Sequence, residues 1–287
     1  MELRFACADF TFPLLSHEKA LDLIRILDID AVDIGFFQDR SHIQPSAVFK
    51  DIPGESGRLK KSLDERDMVA ADLFLQLAAD FHSKAINNPD ATVRDETRTA
   101  FLKTLEIASR IGAHHVSILP GAKFETGALK DSYKRAVDEL TWRVEKAAEV
   151  KLVLGVEAHL GSFCETPECA RQLMQDVKGL TLTLDYTHFT KLGIEDGVIE
   201  QLMPYASHFH ARNACKGRAQ CTMKDNTIDY QRVMRKMLEN EYPGFVGLEY
   251  VWIEWEHMNE ADNVSETIQL RNVLKKAFDE HVKGRKK

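Results

Sequence analysis

Four side chains in the second half of this 287-residue sequence have the types and spacing to do chemistry. Each stands near the end of a short apolar run: Glu157 in LVLGVEAH (152–159), Asp185 in LTLDYTHF (182–189), His210 in YASHFHAR (205–212) and Glu249 in FVGLEY (245–250). Two glutamates, an aspartate and a histidine offer mainly hard oxygen donors with one imidazole. Such a set suits manganese (Mn²⁺), with Mg²⁺ or Co²⁺ as alternatives, in an octahedral site, whereas closed structural zinc sites draw on cysteine and histidine. Four protein ligands would leave two octahedral positions open, where vicinal oxygens of a polyol or ketose fit. A lone carboxylate after a strand is more often a helix cap or a salt-bridge partner. Four at the same relative position of successive strands differ from that case if the fold makes those positions converge. The expectation is that Glu157, Asp185, His210 and Glu249 hold one divalent metal, and that Glu157 and Glu249 also move protons.

The elements that must position them alternate along the whole chain. Strands are expected over 3–9, 31–37, 68–78, 114–121, 151–158, 180–185, 205–211 and 245–250. Between them, Ser16 caps HEKALDLIRILD, whose apolar residues recur at helical spacing. Residues 38–55 read as a long loop over one barrel face, and 56–67 as a charged, exposed helix. Asp90 opens a helix that Gly112 stops, and another runs from Gly127 to Val150. Thr166-Pro167-Glu168 opens the next with a cap and a first-turn proline. A short helix through Met203 follows strand six, and two more cover 229–241 and Glu260 to Val282. Strands that read as apolar throughout indicate a parallel sheet covered on both faces. Eight such units with no linker and no second core indicate the α/β class and a single (β/α)8 TIM barrel domain over 1–287, with its site at the C-terminal strand ends.

Composition narrows the function classes. A hydrophobic fraction of 44% supports a large core, and a net charge of −7 argues against a main role in holding nucleic acid. No apolar run approaches the roughly 20 residues of a membrane span, and the MELRFACADF start lacks the apolar stretch of a secretory signal. The five cysteines show no CxxC spacing and read as free thiols in a reducing compartment, so a cytoplasmic location is expected.

The motifs VEAHLGS, LDYTH, HFHARNA and GLEY resemble the xylose-isomerase-like barrels of the sugar phosphate isomerase/epimerase family, and the resemblance covers nearly the whole chain. That family includes D-tagatose and D-psicose 3-epimerases, inosose dehydratase and hydroxypyruvate isomerase. The resemblance implies that Glu157, Asp185, His210 and Glu249 bind the metal, that His188 contacts substrate, and that the protein is a dimer or tetramer. It also implies a substrate-contacting basic residue in the loop after strand seven, where Arg212 is favoured over Lys216 and Arg218. His159, two residues past Glu157, either reaches substrate or lies on the surface. Lys123 meets a substrate oxygen or phosphate, or is merely solvated. Phe10, Phe12, Phe36 and Phe37 form an apolar wall or pack the loops, and Tyr250, Trp252 and Trp255 carry the same ambiguity. His208 reads as a core or supporting residue.

The implied reaction is isomerisation or epimerisation of a ketose or related sugar derivative. Metal coordination of a carbonyl oxygen stabilises the enediolate, while one glutamate removes a proton and the other, on the opposite face, returns one. A lyase or dehydratase acting on a keto-sugar, inosose or 3-keto-glycoside would share the proton abstraction. Two departures from the epimerases bear on the substrate: Phe163 stands where they carry a further glutamate, and ARNACKGRAQ replaces their acidic loop. Endonuclease-IV-like DNA repair needs many more ligands on the early strands than Asp9, Asp33, Asp72 and His82 supply.

Overall fold

A computed structural model of the chain describes residues 1–124 and 129–284. Its strands are β1 (Phe5–Ala8), β2 (Ala31–Phe37), β3 (Val69–Gln76), β4 (His115–Ile118), β5 (Val153–Glu157), β6 (Thr181–Asp185), β7 (Ala206–Ala211) and β8 (Val246–Leu248). Each runs parallel to its sequence neighbour, and β8 pairs with β1, which closes the sheet. The helices are α1 (His17–Ile26), α2 (Pro45–Val48), α3 (Ile52–Asp64), α4 (Ala91–Ile111), α5 (Leu129–Glu149), α6 (Pro167–Asp176), α7 (Tyr186–Lys191), α8 (Asp196–Ile199), α9 (Tyr230–Glu239) and α10 (Asn263–Gly284). The architecture is a (β/α)8 TIM barrel.

Local chemistry sets the helix ends. The Ser16, Asp90 and Thr166 side chains accept from the backbone N–H groups of Lys19, Thr92 and Cys169, and Gly112 ends α4 in the left-handed region at φ 78°. The expected start of α5 at Gly127 lies outside the described residues. Residues 38–55 are not one loop: they contain α2 and the first turn of α3, which begins four residues ahead of the expected 56. Asp51 caps α3 by accepting from Gly54 N, and Pro53 sits in the first turn, where its missing N–H costs nothing. The helix expected through Met203 is instead three pieces, α7, α8 and a 3-10 turn at Glu200–Tyr205 that contains Pro204.

The outer faces of the strands make the core. Val32, Ile34, Leu73 and Leu75 belong to the same buried cluster as Leu21 and Ile24 of α1 and Leu105 and Ala108 of α4. Inside the barrel the strands are not apolar, as the sequence had suggested. His208 Nε2 meets Asp33 Oδ2 at 3.0 Å, joining β7 to β2 across the interior. His115 Nδ1 meets Asp72 Oδ1 at 2.6 Å, and Ser117 and Thr183 share a hydrogen bond of 2.6 Å. Each of these buried polar side chains finds at least one partner inside the barrel, although Asp33 Oδ1 and Asp72 Oδ2 have none. Burial pushes Asp72 up, but the adjacent imidazole overcomes it and holds the carboxyl near 2; burial also keeps His115 below its ordinary pKa.

Glycines make room for this network. A Cβ on Gly247 would lie 2.0 Å from Asp33 Oδ2 and 3.1 Å from His208 Nε2, so only a hydrogen fits there. Gly247→Ala is expected to lower stability by about 1–3 kcal/mol through overpacking. A urea titration checks it; an unchanged midpoint would show that the network shifts without cost. Among the described residues no helix is long and apolar enough to cross a membrane.

Candidate metal centre

Barrel closure brings the four strand-end side chains together. Glu157 and Asp185 are the last residues of β5 and β6, His210 is next to last in β7, and Glu249 follows β8. Asp185 pairs in register with His210, so the two stand at the same level of the barrel. All four are buried, and their potential ligand atoms lie within 4.8 Å of one another. His210 Nδ1 sits between the glutamates, 2.8 Å from Glu157 Oε1 and 3.4 Å from Glu249 Oε2. An octahedral ion with bonds of about 2.1 Å separates adjacent donors by about 3 Å, so the spacing and the donor chemistry both fit a divalent cation.

Three buried carboxylates need compensating charge wherever they occur. In the structure Arg212 supplies it. Its Nη2 donates to Asp185 Oδ2 at 2.7 Å, its Nη1 donates to Glu249 Oε2, and its Nε donates to Ala219 O at 3.0 Å. Burial opposes the Arg212 charge, but the Asp185 and Glu249 carboxylates raise its pKa further. His210 follows the same logic: burial lowers it, yet Glu249 and Glu157 lift it to about 10. Burial lifts Glu249 to about 7 against the pull of His210 and Arg212. Burial also acts to raise Glu157 and Asp185, but His210 for the first and Arg212 for the second hold both below the ordinary carboxylate range. Asp185 additionally caps α7, its Oδ1 accepting from Thr187 N and Oγ1 at 2.8 and 2.6 Å, which turns Oδ2 toward the centre.

Above this floor opens a cavity of about 380 Å³. The expected contact residues His159, His188 and Arg212 all line it. His188 Nε2 is 3.2 Å from Asp185 Oδ2 and 3.9 Å from Glu157 Oε2, and its ring centroid is 4.1 Å from that of His159. Burial and the neighbouring His159 hold His188 at about 3, a neutral imidazole whose Nδ1 has no partner. Arg212, expected as a substrate contact, lines the cavity with its guanidinium paired to Asp185 and Glu249. Lys123 does not line the cavity: it pairs with Glu165, whose other oxygen accepts from Gly161 N. In the loop after β7, Gln220 bonds to Val251 and Met258, and Arg218 pairs with Glu260 at the surface.

The aromatic alternatives divide. Phe10 and Phe37 line the cavity, while Phe12 and Phe36 pack in the core. Trp252 lines the cavity and Tyr250 is fully buried; the Trp255 side chain lies outside the described residues. Phe163 packs edge-on against Tyr133, 5.8 Å between centroids. Arg40, Phe74 and Gln76 are among the lining residues that sequence reasoning passed over. Arg40 lies in the turn after β2, at the start of the segment expected to be a loop. Phe74 and Gln76 alternate with Leu73 and Leu75 along β3, and that alternation is the signal that separates them.

A TIM barrel carrying a cluster of carboxylates and one imidazole at the C-terminal ends of its strands is the class defined so far. The chain belongs to the xylose isomerase-like TIM barrel family, whose sequence profile matches residues 21–276. No curated protein matches it in sequence. Among solved structures it is similar to a D-tagatose 3-epimerase-like protein, with 18% identity and a TM-score of 0.76 over 98% of this chain and 100% of that one. It is also similar to the probable 3-DHS dehydratase AsbF, involved in petrobactin synthesis, from Bacillus anthracis, with 12% identity and a TM-score of 0.70 over 95% of this chain and 99% of that one. A third is the IOLI protein with a bound zinc atom, with 18% identity and a TM-score of 0.69 over 96% of each chain. At these identities the likeness establishes the shared fold.

Proposed function

We propose that the protein is a divalent-metal-dependent isomerase or epimerase acting on a ketose or related sugar derivative. The observation that carries this reading is the convergence of Glu157, Asp185, His210 and Glu249 at the floor of a ring-sized cavity. These four residues would hold the ion, with manganese preferred for their donor set. A divalent ion bound there supplies Lewis-acid polarisation of a substrate carbonyl. The chain's own groups do the rest. Glu157 removes the proton from the carbon beside the carbonyl. Glu249, on the other side of His210, returns one to the opposite face. His188 and His159 orient hydroxyl groups from the cavity side.

The dehydratase or lyase reading has one observation in its favour: Glu157, His159 and His188 form a second close cluster. A base flanked by two imidazoles can abstract a proton and protonate a leaving oxygen on the same face.

Two measurements test the proposal. Asp185→Asn is expected to weaken Mn²⁺ binding by at least tenfold, as the loss of a ligand or its close support does. Chelation should abolish turnover and Mn²⁺ should restore it; normal Mn²⁺ affinity and activity in Asp185→Asn would overturn the site. Incubation with ketoses, inososes and 3-keto-glycosides in D2O separates the two reactions. Deuterium in a recovered sugar supports isomerisation or epimerisation, and a dehydrated or cleaved product supports the lyase.

A further inference from the structure

The cavity carries one cation that this chemistry leaves unused. Arg40, three residues beyond β2, reaches the cavity rim from an exposed loop position. Its Nη2 donates to Gln76 Oε1, and its guanidinium carbon lies over the Phe37 ring, 5.6 Å from the centroid. The other cations around the cavity are taken: Arg212 by Asp185 and Glu249, Lys191 by Glu256, and Lys123 by Glu165. Among the described residues no carboxylate pairs with Arg40, and none accepts from Gln76 Nε2. The rim therefore presents a guanidinium and an amide side by side, with donors that no carboxylate occupies; Glu256, a carboxylate that also lines the cavity, pairs with Lys191.

Between that rim and the metal centre runs a wall of rings. The Phe37 ring meets Phe74 edge-on at 5.1 Å, Phe74 lies 5.9 Å from the ring of His210, and Phe10 packs on Phe37 at 4.9 Å. These phenylalanines form a small apolar cluster separate from the main core. A ligand lying on them meets the oxygen donors of the centre at one end and a fixed positive charge at the other, with two rings in between.

We propose that Arg40, braced by Gln76, is the anion-recognition residue of this cavity, and that the substrate is a ring-sized carbonyl compound bearing a carboxylate at the end remote from its carbonyl. The proposal rests on the reading above only for which end of the ligand faces Glu157. Carboxylate is favoured over phosphate by the donor count. One planar guanidinium with one amide matches a single planar anion, whereas phosphate sites gather several cations or a run of backbone N–H groups. The apolar rings fit the hydrocarbon face of a ring better than an open, fully hydroxylated chain.

The test is binding to the Mn²⁺-loaded protein, followed by calorimetry without turnover. The probes are 3-oxocyclohexane-1-carboxylate, its methyl ester and cyclohexyl phosphate. The acid is expected to bind about ten- to a hundredfold tighter than the ester, the worth of a charge-assisted hydrogen bond. Arg40→Met should bring the acid to the ester's affinity while leaving Mn²⁺ affinity and Tm unchanged, and Arg40→Lys should recover part of the preference. Equal affinity for acid and ester, a preference that survives Arg40→Met, or no binding of any probe would each overturn the proposal. So would Arg40-dependent binding of cyclohexyl phosphate tighter than the acid, which would assign a phosphate site. A failure of the isomerase reading would appear instead as absent deuterium exchange, with the acid preference intact.

Discussion

Glu157→Gln is expected to lower turnover by about 10²–10⁴-fold while leaving the fold intact, the range that a positioned general base contributes. The amide keeps the volume of the carboxylate and an oxygen that can accept from His210 Nδ1, now 2.8 Å away. What it removes is the ability to take a proton. Metal affinity should fall as well, because one charge leaves the donor set, so the comparison belongs at saturating Mn²⁺. Solvent deuterium exchange into substrate is the direct readout. A Glu157→Gln protein that exchanges at the parent rate when saturated would assign the base to another residue, with Glu249 the first alternative.

Arg212→Met should destabilise the metal-free protein by about 3–5 kcal/mol, the usual cost of leaving buried ionised partners uncompensated. Two carboxylates lose their partner at once, since the guanidinium bridges Asp185 and Glu249. Saturating Mn²⁺ should remove most of that loss, because an ion bound only to the native state stabilises it through mass action and supplies the missing charge. The same variant should bind Mn²⁺ more tightly than the parent, because the guanidinium no longer competes for Asp185 Oδ2 and Glu249 Oε2. Urea titrations with EDTA and with Mn²⁺ read both effects. Unchanged Mn²⁺ affinity would show that ion and guanidinium occupy different positions around the same carboxylates.

The barrel and its mouth were legible in the sequence because both rest on local pattern. Strand and helix periods, the Ser16, Asp90 and Thr166 caps and the Gly112 stop are read from neighbouring residues. A barrel then places every strand end on one rim. That is why Glu157, Asp185, His210 and Glu249 could be grouped before any distance was known. The segment 38–55 differs from the expected loop for a local reason: a proline in the first turn, as Pro53 is, starts α3 instead of breaking it.

The pairings inside the barrel were beyond the sequence. Asp33 and His208 stand 175 residues apart and meet only because β2 and β7 face each other across a closed interior. Lys123 and Glu165 join two loops, and Arg212 pairs with the carboxylates of Asp185 and Glu249 at two other strand ends. Arg40, in the loop after β2, and Gln76, at the end of β3, become one donor pair at the cavity rim only when those neighbouring strands lie in register. The sequence by itself thus determined the donor types, the period of the elements and the rim on which the donors stand, all of which depend on contacts within a few residues. The tertiary structure decided which charges neutralise each other and which are left for a ligand. In a buried, low-dielectric site that depends on separations of an ångström between side chains from different strands.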